Sequence, residues 1–191
     1  MKFPYGLADF RTLRTQGYFY IDRTDRIAKV EEFGLQLLLL RPRRFGKSLW
    51  LSTLENYYAI DRADQFTALF GDLAIGKNPT ERHNRYFILR WNFSEVVATG
   101  TSEQIGEALH RHLNACVDRF NQRYAAWLPK TIPLIPGDGV ATFHHLTSVV
   151  AATGCPLYLL IDEYDNFANE LMPRGHRALN EDHYRALVHG E

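Results

Sequence analysis

Cysteine and methionine are scarce, with two of each in 191 residues. Cys116 and Cys155 have no metal-ligand spacing, and two lone thiols exclude a disulfide-stapled secreted scaffold. Net charge is missing too: 22 basic residues balance 22 acidic ones. Nothing global therefore attracts nucleic acid or a charged membrane surface. No apolar run is long enough to span a membrane. The amino-terminal MKFPYGLADF has a broken apolar pattern in place of the continuous core of a signal peptide. Together these absences predict a cytoplasmic chain with no membrane partner. The histidines argue against a structural zinc site, because His110 with His112 and His144 with His145 are not helical i,i+4 pairs.

The apolar pattern alternates between strand and helix. Residues 7–16 read as a short helix and 18–21 as an extended segment, after which Asp22 or Thr24 could cap a helix carrying Ile27, Ala28 and Val30. Leu37 to Leu40 predicts a buried strand of a sheet covered on both faces. Trp50, Leu51, Leu54, Tyr57 and Tyr58 then recur at helical spacing, and 71–85 reads as a loop. Tyr86 to Phe93 is a second strand. Residues 101–125 form the longest helix, with Ile105, Leu109, Leu113, Cys116, Val117, Phe120 and Tyr124 on one face. Pro129, Pro133, Pro136, Gly137 and Gly139 interrupt regular structure, 140–153 return to helix, and Leu157 to Ile161 is a third strand. Trp50, Trp91 and Trp127 read as packing groups, and 176–189 as weakly helical. This order predicts a single three-layer α/β domain over 1–191, with a largely parallel sheet.

Two segments carry chemistry. RPRRFGKS at 41–48 follows the leucine run directly. The general phosphate cradle is G-x-x-x-x-G-K-[S/T]. Arg41 stands where the first glycine would be, while Gly46, Lys47 and Ser48 are in place. Gly46 permits close approach of backbone N–H groups to a phosphate. Lys47 supplies a mobile point charge for the β- and γ-phosphates, and Ser48 a hydroxyl for Mg²⁺. The first turn of the following helix adds positive potential at the same spot. Arg43 and Arg44 read either as phosphate or partner contacts or as a solvated basic loop. The expected nucleotide-binding set is Arg43, Arg44, Phe45, Gly46, Lys47, Ser48 and Leu49.

LYLLIDEYD at 157–165 ends a buried strand in adjacent carboxylates. In a doubly wound sheet that edge faces the phosphate loop. Asp162 is the expected Mg²⁺ ligand beside Ser48. Glu163 is the expected group that orients or deprotonates an attacking water, with Lys47 as the second catalytic residue. Asp165 reads as a helix cap and Tyr164 as packing. These segments predict nucleotide hydrolysis.

RPRRFGKS together with LLIDEYD resembles the AAA-ATPase-like family, whose members are often fused to a PD-(D/E)XK nuclease-like domain. PYGLADF, YFYIDRT at 18–24 and WNFSEV at 91–96 are similar to that family as well. The resemblance implies a P-loop NTPase-like fold, with residues 1–34 as an N-terminal extension packed on the core. It also implies ATP and Mg²⁺ as ligands, and it makes the arginine at the first cradle position a family trait. Tyr20, Asp22 and Thr24 match an N-terminal signature that either borders the nucleotide or locks the segment to the core. Relatives carry a later sensor strand that has no counterpart here. The resemblance therefore implies a fold incomplete at the C-terminus, a fragment or degenerate copy with little turnover. A nucleotide-binding scaffold without hydrolysis and a nucleic-acid-associated protein are the alternatives. The chain has no nuclease motif of its own, and no residue pattern names its macromolecular partner or oligomeric state.

Overall fold

In the computed structural model, residues 1–42, 44–97 and 99–164 are described, and they form a mixed α/β fold with one small parallel sheet. The chain divides into two compact units, Met1–Ile88 and Leu89–Glu191. Asp165 and the 176–189 helix lie outside the described residues.

Unit 1 holds five helices among the described residues: α1 (Phe10–Thr15), α2 (Arg26–Glu32), α3 (Lys47–Tyr58), α4 (Phe66–Phe70) and α5 (Ala74–Lys77). Its centre is aromatic. Phe10 stacks on Phe70 at 4.8 Å, and Tyr57 meets Phe70 edge-on at 5.5 Å. Each such pair adds about 0.5–1.5 kcal/mol beyond the area it buries. Polar groups at the margin are matched: Glu31 accepts the hydroxyls of Tyr58 at 2.9 Å and Thr80 at 2.8 Å.

Asp22 and Thr24 do not cap α2. That helix follows Asp25, which makes no side-chain cap bond. Asp22 Oδ1 instead accepts the Thr24 N–H at 2.8 Å and the Thr24 hydroxyl at 2.7 Å. Asp22 Oδ2 accepts the Ala74 N–H, and Thr24 Oγ1 accepts the Ile75 N–H. The pair thus satisfies N–H groups at the start of α5, which splits the expected 71–85 loop. Burial works to raise the Asp22 carboxyl, but these N–H and hydroxyl donors hold it below the usual carboxylate value.

The largest departure is at the leucine run. Leu37 to Leu40 forms no strand and is exposed, Leu38 by 67% and Leu40 by 71%. Apolar character favours a strand only where a neighbour supplies backbone partners, and none pairs with this run among the described residues.

In unit 2 the sheet pairs β1 (Phe87–Asn92), whose first residues lie at the division, with β2 (Leu157–Asp162). Between them come a 3₁₀ turn at Phe93–Glu95, α6 (Ser102–Tyr124) and α7 (Gly139–Ala151). A capping box starts α6: Thr101 Oγ1 accepts the Gln104 N–H, and the Gln104 side chain accepts the Thr101 N–H at 3.0 Å. Gly139 lets α7 approach α6, since a Cβ there would lie 2.9 Å from the His110 carbonyl oxygen. Asn121 fixes the irregular segment between the helices by pairing with both the N–H and the carbonyl of Ile132, each at 2.9 Å. β2 is not covered on both faces as its sequence suggests. Leu160 and Asp162 are buried, whereas the alternating Leu159 and Ile161 are exposed. The described residues form this two-stranded sheet and not the larger, three-layered one.

Candidate functional site: a glycine turn and a carboxylate strand end

The predicted site residues fall into two clusters, one in each unit. In unit 1 the turn from Pro42 to Gly46 opens directly into α3. The Phe45 N–H reaches the Pro42 carbonyl at 3.4 Å, and the first helical rung runs from the Trp50 N–H to the Gly46 carbonyl at 2.9 Å. Arg44 has φ 68° and Gly46 φ 78°, both left-handed. Glycine takes that conformation freely, whereas arginine is strained in it. Gly46 also leaves α3 with no side-chain cap. A helix directs its first N–H groups outward with no acceptor of its own, and its dipole places positive potential there. Arg44, Phe45 and Gly46 are exposed, and Lys47, Ser48 and Leu49 half-buried. An atom added at the Gly46 Cβ position would meet nothing within 4 Å. The turn is therefore open to a ligand and supplies N–H donors, a hydroxyl and an ammonium group. Arg43 lies outside the described residues.

In unit 2, Asp162 ends β2 on its buried face, 4% exposed. Its Oδ2 lies 3.5 Å from Arg90 Nη2, and its Oδ1 accepts the Glu163 N–H at 3.1 Å. Glu163 leaves the strand at φ 57°. That turn is strained for a residue with a Cβ, and it separates the direction of the Glu163 side chain from that of Asp162. Arg44 and Glu163 are two of the three non-glycine residues with positive φ among those described. Strain of this kind persists where the surroundings hold it, and it gathers at ligand sites. Arg90 was not singled out from the sequence. The available signal was a lone cation within the apolar FILRWN strand, where a buried anion is the natural partner.

Among the described residues, no group of three or more His, Cys, Asp or Glu side chains could hold a metal ion. The oxygen donors Ser48 and Asp162 are of the kind that hard divalent cations take alongside water. Nor is any helix among them long and apolar enough to cross a membrane.

A family profile described as "Predicted AAA-ATPase" matches residues 4–188. The chain belongs to the AAA-ATPase-like family. This membership associates it with P-loop NTPases and with nucleotide binding at the family level. A curated protein of Azotobacter chroococcum mcd 1, named "Uncharacterized protein in vnfD 5'region", is 42% identical over 59 residues. That stretch is 30% of this chain and 11% of the relative, so the match spans a small part of the relative's length. No solved structure matches the chain at a significant level.

Proposed function

We propose that this AAA-ATPase-like chain binds Mg²⁺–ATP, with the phosphates on the turn Arg44–Leu49 and with Asp162 and Glu163 as its acidic pair. The observation that carries the reading is the left-handed Arg44–Gly46 turn opening into the uncapped start of α3. Backbone N–H groups of that turn hold phosphate oxygens. Lys47 neutralises the β- and γ-phosphates, and Arg44 adds positive potential beside them. Ser48 would offer its hydroxyl to Mg²⁺, and Asp162 is a carboxylate of the kind that would hold the ion directly or through water. When bound, Mg²⁺ neutralises charge on the phosphate oxygens. Arg90 offsets part of the Asp162 charge and holds that carboxylate in place.

Hydrolysis falls to Glu163. A solvent water attacks the γ-phosphorus while the carboxylate takes its proton. A bond forms from the water oxygen to phosphorus, the bond to the β,γ-bridging oxygen breaks, and ADP leaves with that electron pair. The two lone thiols suit a cytoplasmic setting.

Calorimetric titration with Mg²⁺–ATP and an assay of released phosphate test the reading together. Lys47→Ala removes a charged hydrogen-bond donor worth about 1.5–3 kcal/mol, so binding weakens roughly 10- to 150-fold. Glu163→Gln leaves binding intact and lowers turnover roughly 10²- to 10⁴-fold. Binding with no phosphate release by the unaltered chain would leave a nucleotide-binding scaffold. Binding unchanged in Lys47→Ala would remove the proposal.

A further inference from the structure

Arg90 is a cation set in the otherwise apolar start of β1, and it reaches across the sheet to the end of β2. Its Nη2 lies 3.5 Å from Asp162 Oδ2, and the two side chains are 36% and 5% exposed. The solvent side of the pair is therefore the arginine. A carboxylate taken out of water needs a counter-charge, and here a long side chain supplies it. Movement falls to that side chain alone, since the Arg90 backbone is part of β1 and Leu89 beside it is buried.

The contact is loose. A guanidinium that grips a carboxylate does so at about 2.7–2.9 Å, often through two parallel N–H···O bonds. The Arg90–Asp162 contact is one distance of 3.5 Å. The carboxylate also has acceptor capacity to spare. When ionised it offers about four lone-pair positions. Among the described residues, the donors that reach it are Arg90 and the Glu163 N–H, which meets Oδ1 at 3.1 Å.

We infer that Arg90 is a positioning residue that keeps the place of a divalent cation at Asp162: it neutralises and covers the carboxylate, and it yields Asp162 when Mg²⁺ is bound. The inference deepens the Mg²⁺–ATP reading above and rests on it. Two cations held close to one carboxylate repel each other. Arg90 therefore competes with the metal, and its loss tightens the metal's hold. An arginine that merely kept Asp162 in shape would act in the opposite direction, because its loss would loosen the metal.

The sign of the effect is the test. ATP affinity is measured by calorimetry for each variant, once with Mg²⁺ and once with a chelator, and the ratio of the two affinities gives the metal's share of binding. Arg90→Gln is expected to raise that ratio about 5-fold, the size of a part-exposed ion pair. Arg90→Lys keeps the charge and stays within about twofold of the unaltered chain. Asp162→Asn lowers the ratio, and adding Arg90→Gln to it produces no further change, since the two residues act through one another. If Arg90→Gln fails to fold, the Arg90 Nε–H signal of the unaltered chain decides the question by NMR: it shifts as Mg²⁺ is added in the presence of saturating ATP. A ratio unchanged or lowered in Arg90→Gln, or an unmoved Arg90 signal, with the ratio still lowered by Asp162→Asn, would overturn the competition and leave the nucleotide reading standing. A ratio that Asp162→Asn leaves unchanged would overturn both the competition and the metal role of Asp162. No Mg²⁺–ATP binding by the unaltered chain would overturn the nucleotide reading with them.

Discussion

Unit 1 and unit 2 are held together by different means. In Met1–Ile88 the helices are short, apart from α3, and they meet through stacked aromatic rings and the hydrogen-bonded side chains of buried Thr24, Ser52, Thr53 and Asn56. In Leu89–Glu191 a long amphipathic helix lies against α7, and the sheet pairs two strands through their backbones. Side-chain hydrogen bonds specify positions one at a time, whereas helix faces and strand ladders specify whole elements. Unit 1 accordingly carries the turn that needs accurate placement, and unit 2 presents its carboxylates at the end of a regular strand. Each unit also leaves leucine exposed, but with different consequences. β2 stays a strand because β1 pairs with it, and only one of its faces is open. The Leu37–Leu40 run has no such pairing among the described residues and takes no regular form.

The sharpest way to break this comparison is through the core of unit 1. Phe70 is fully buried between Phe10 and Phe66. Phe70→Ala is expected to destabilise the chain by about 3–5 kcal/mol, measured by urea unfolding. A loss under about 1 kcal/mol would show that the aromatic cluster is not the core of the unit. A smaller effect, about 1 kcal/mol, is expected for Gly46→Ala. Space is free around that position, so the cost is that of a left-handed φ alone. An equally stable variant would mean that the turn does not keep this conformation.

The units also respond differently to acid. Burial lowers the His112 imidazole below its ordinary 6.5, with Arg119 adding to the effect and Glu95 opposing it. The unfolded chain therefore binds that proton more tightly than the folded one. Stability from His112 is complete above about 6.5 and is lost as pH falls toward the folded value. Asp22 has the same sign in a lower window, so its contribution persists until pH drops below about 3.8. Urea unfolding at pH 7 and pH 5 reads this, with Trp50 reporting on unit 1 and Trp91 with Trp127 on unit 2 in complementary Trp→Phe variants. The unit 2 midpoint is expected to fall first. Equal shifts in both would contradict the distinction. Smallest of all is the effect of Leu40→Ser, within about 0.5 kcal/mol because the side chain is already in solvent. A cost above 1.5 kcal/mol would mean that the run is buried after all.

Elements with strong periodicity were legible. The face from Ile105 to Tyr124 announced α6, which starts and ends within a residue of the expected 101–125. β1, β2 and α3 fell within a residue or two of their expected bounds. The leucine run misled because four consecutive apolar residues report a tendency to be buried, and a strand also needs a hydrogen-bonded neighbour. Asp22 and Thr24 looked like caps for the helix next in sequence. Their partners, Ala74 and Ile75, lie some fifty residues away, beyond the reach of local pattern. Gly46, Lys47 and Ser48 were legible as a turn that opens a helix, since glycine takes the left-handed conformation that α3 starts from. Arg90 was not, since one cation in a strand is common and gains meaning only from what it touches.

The central claim is that phosphate binds at the beginning of α3. Backbone amide NMR during titration with Mg²⁺–ATP reads this residue by residue. The account predicts that the largest shifts fall on the amides of Gly46, Lys47, Ser48 and Leu49, and that they saturate in the unaltered chain at roughly 10- to 150-fold lower ligand concentration than in Lys47→Ala. Saturable shifts confined to other segments, with these four amides unmoved, would contradict it.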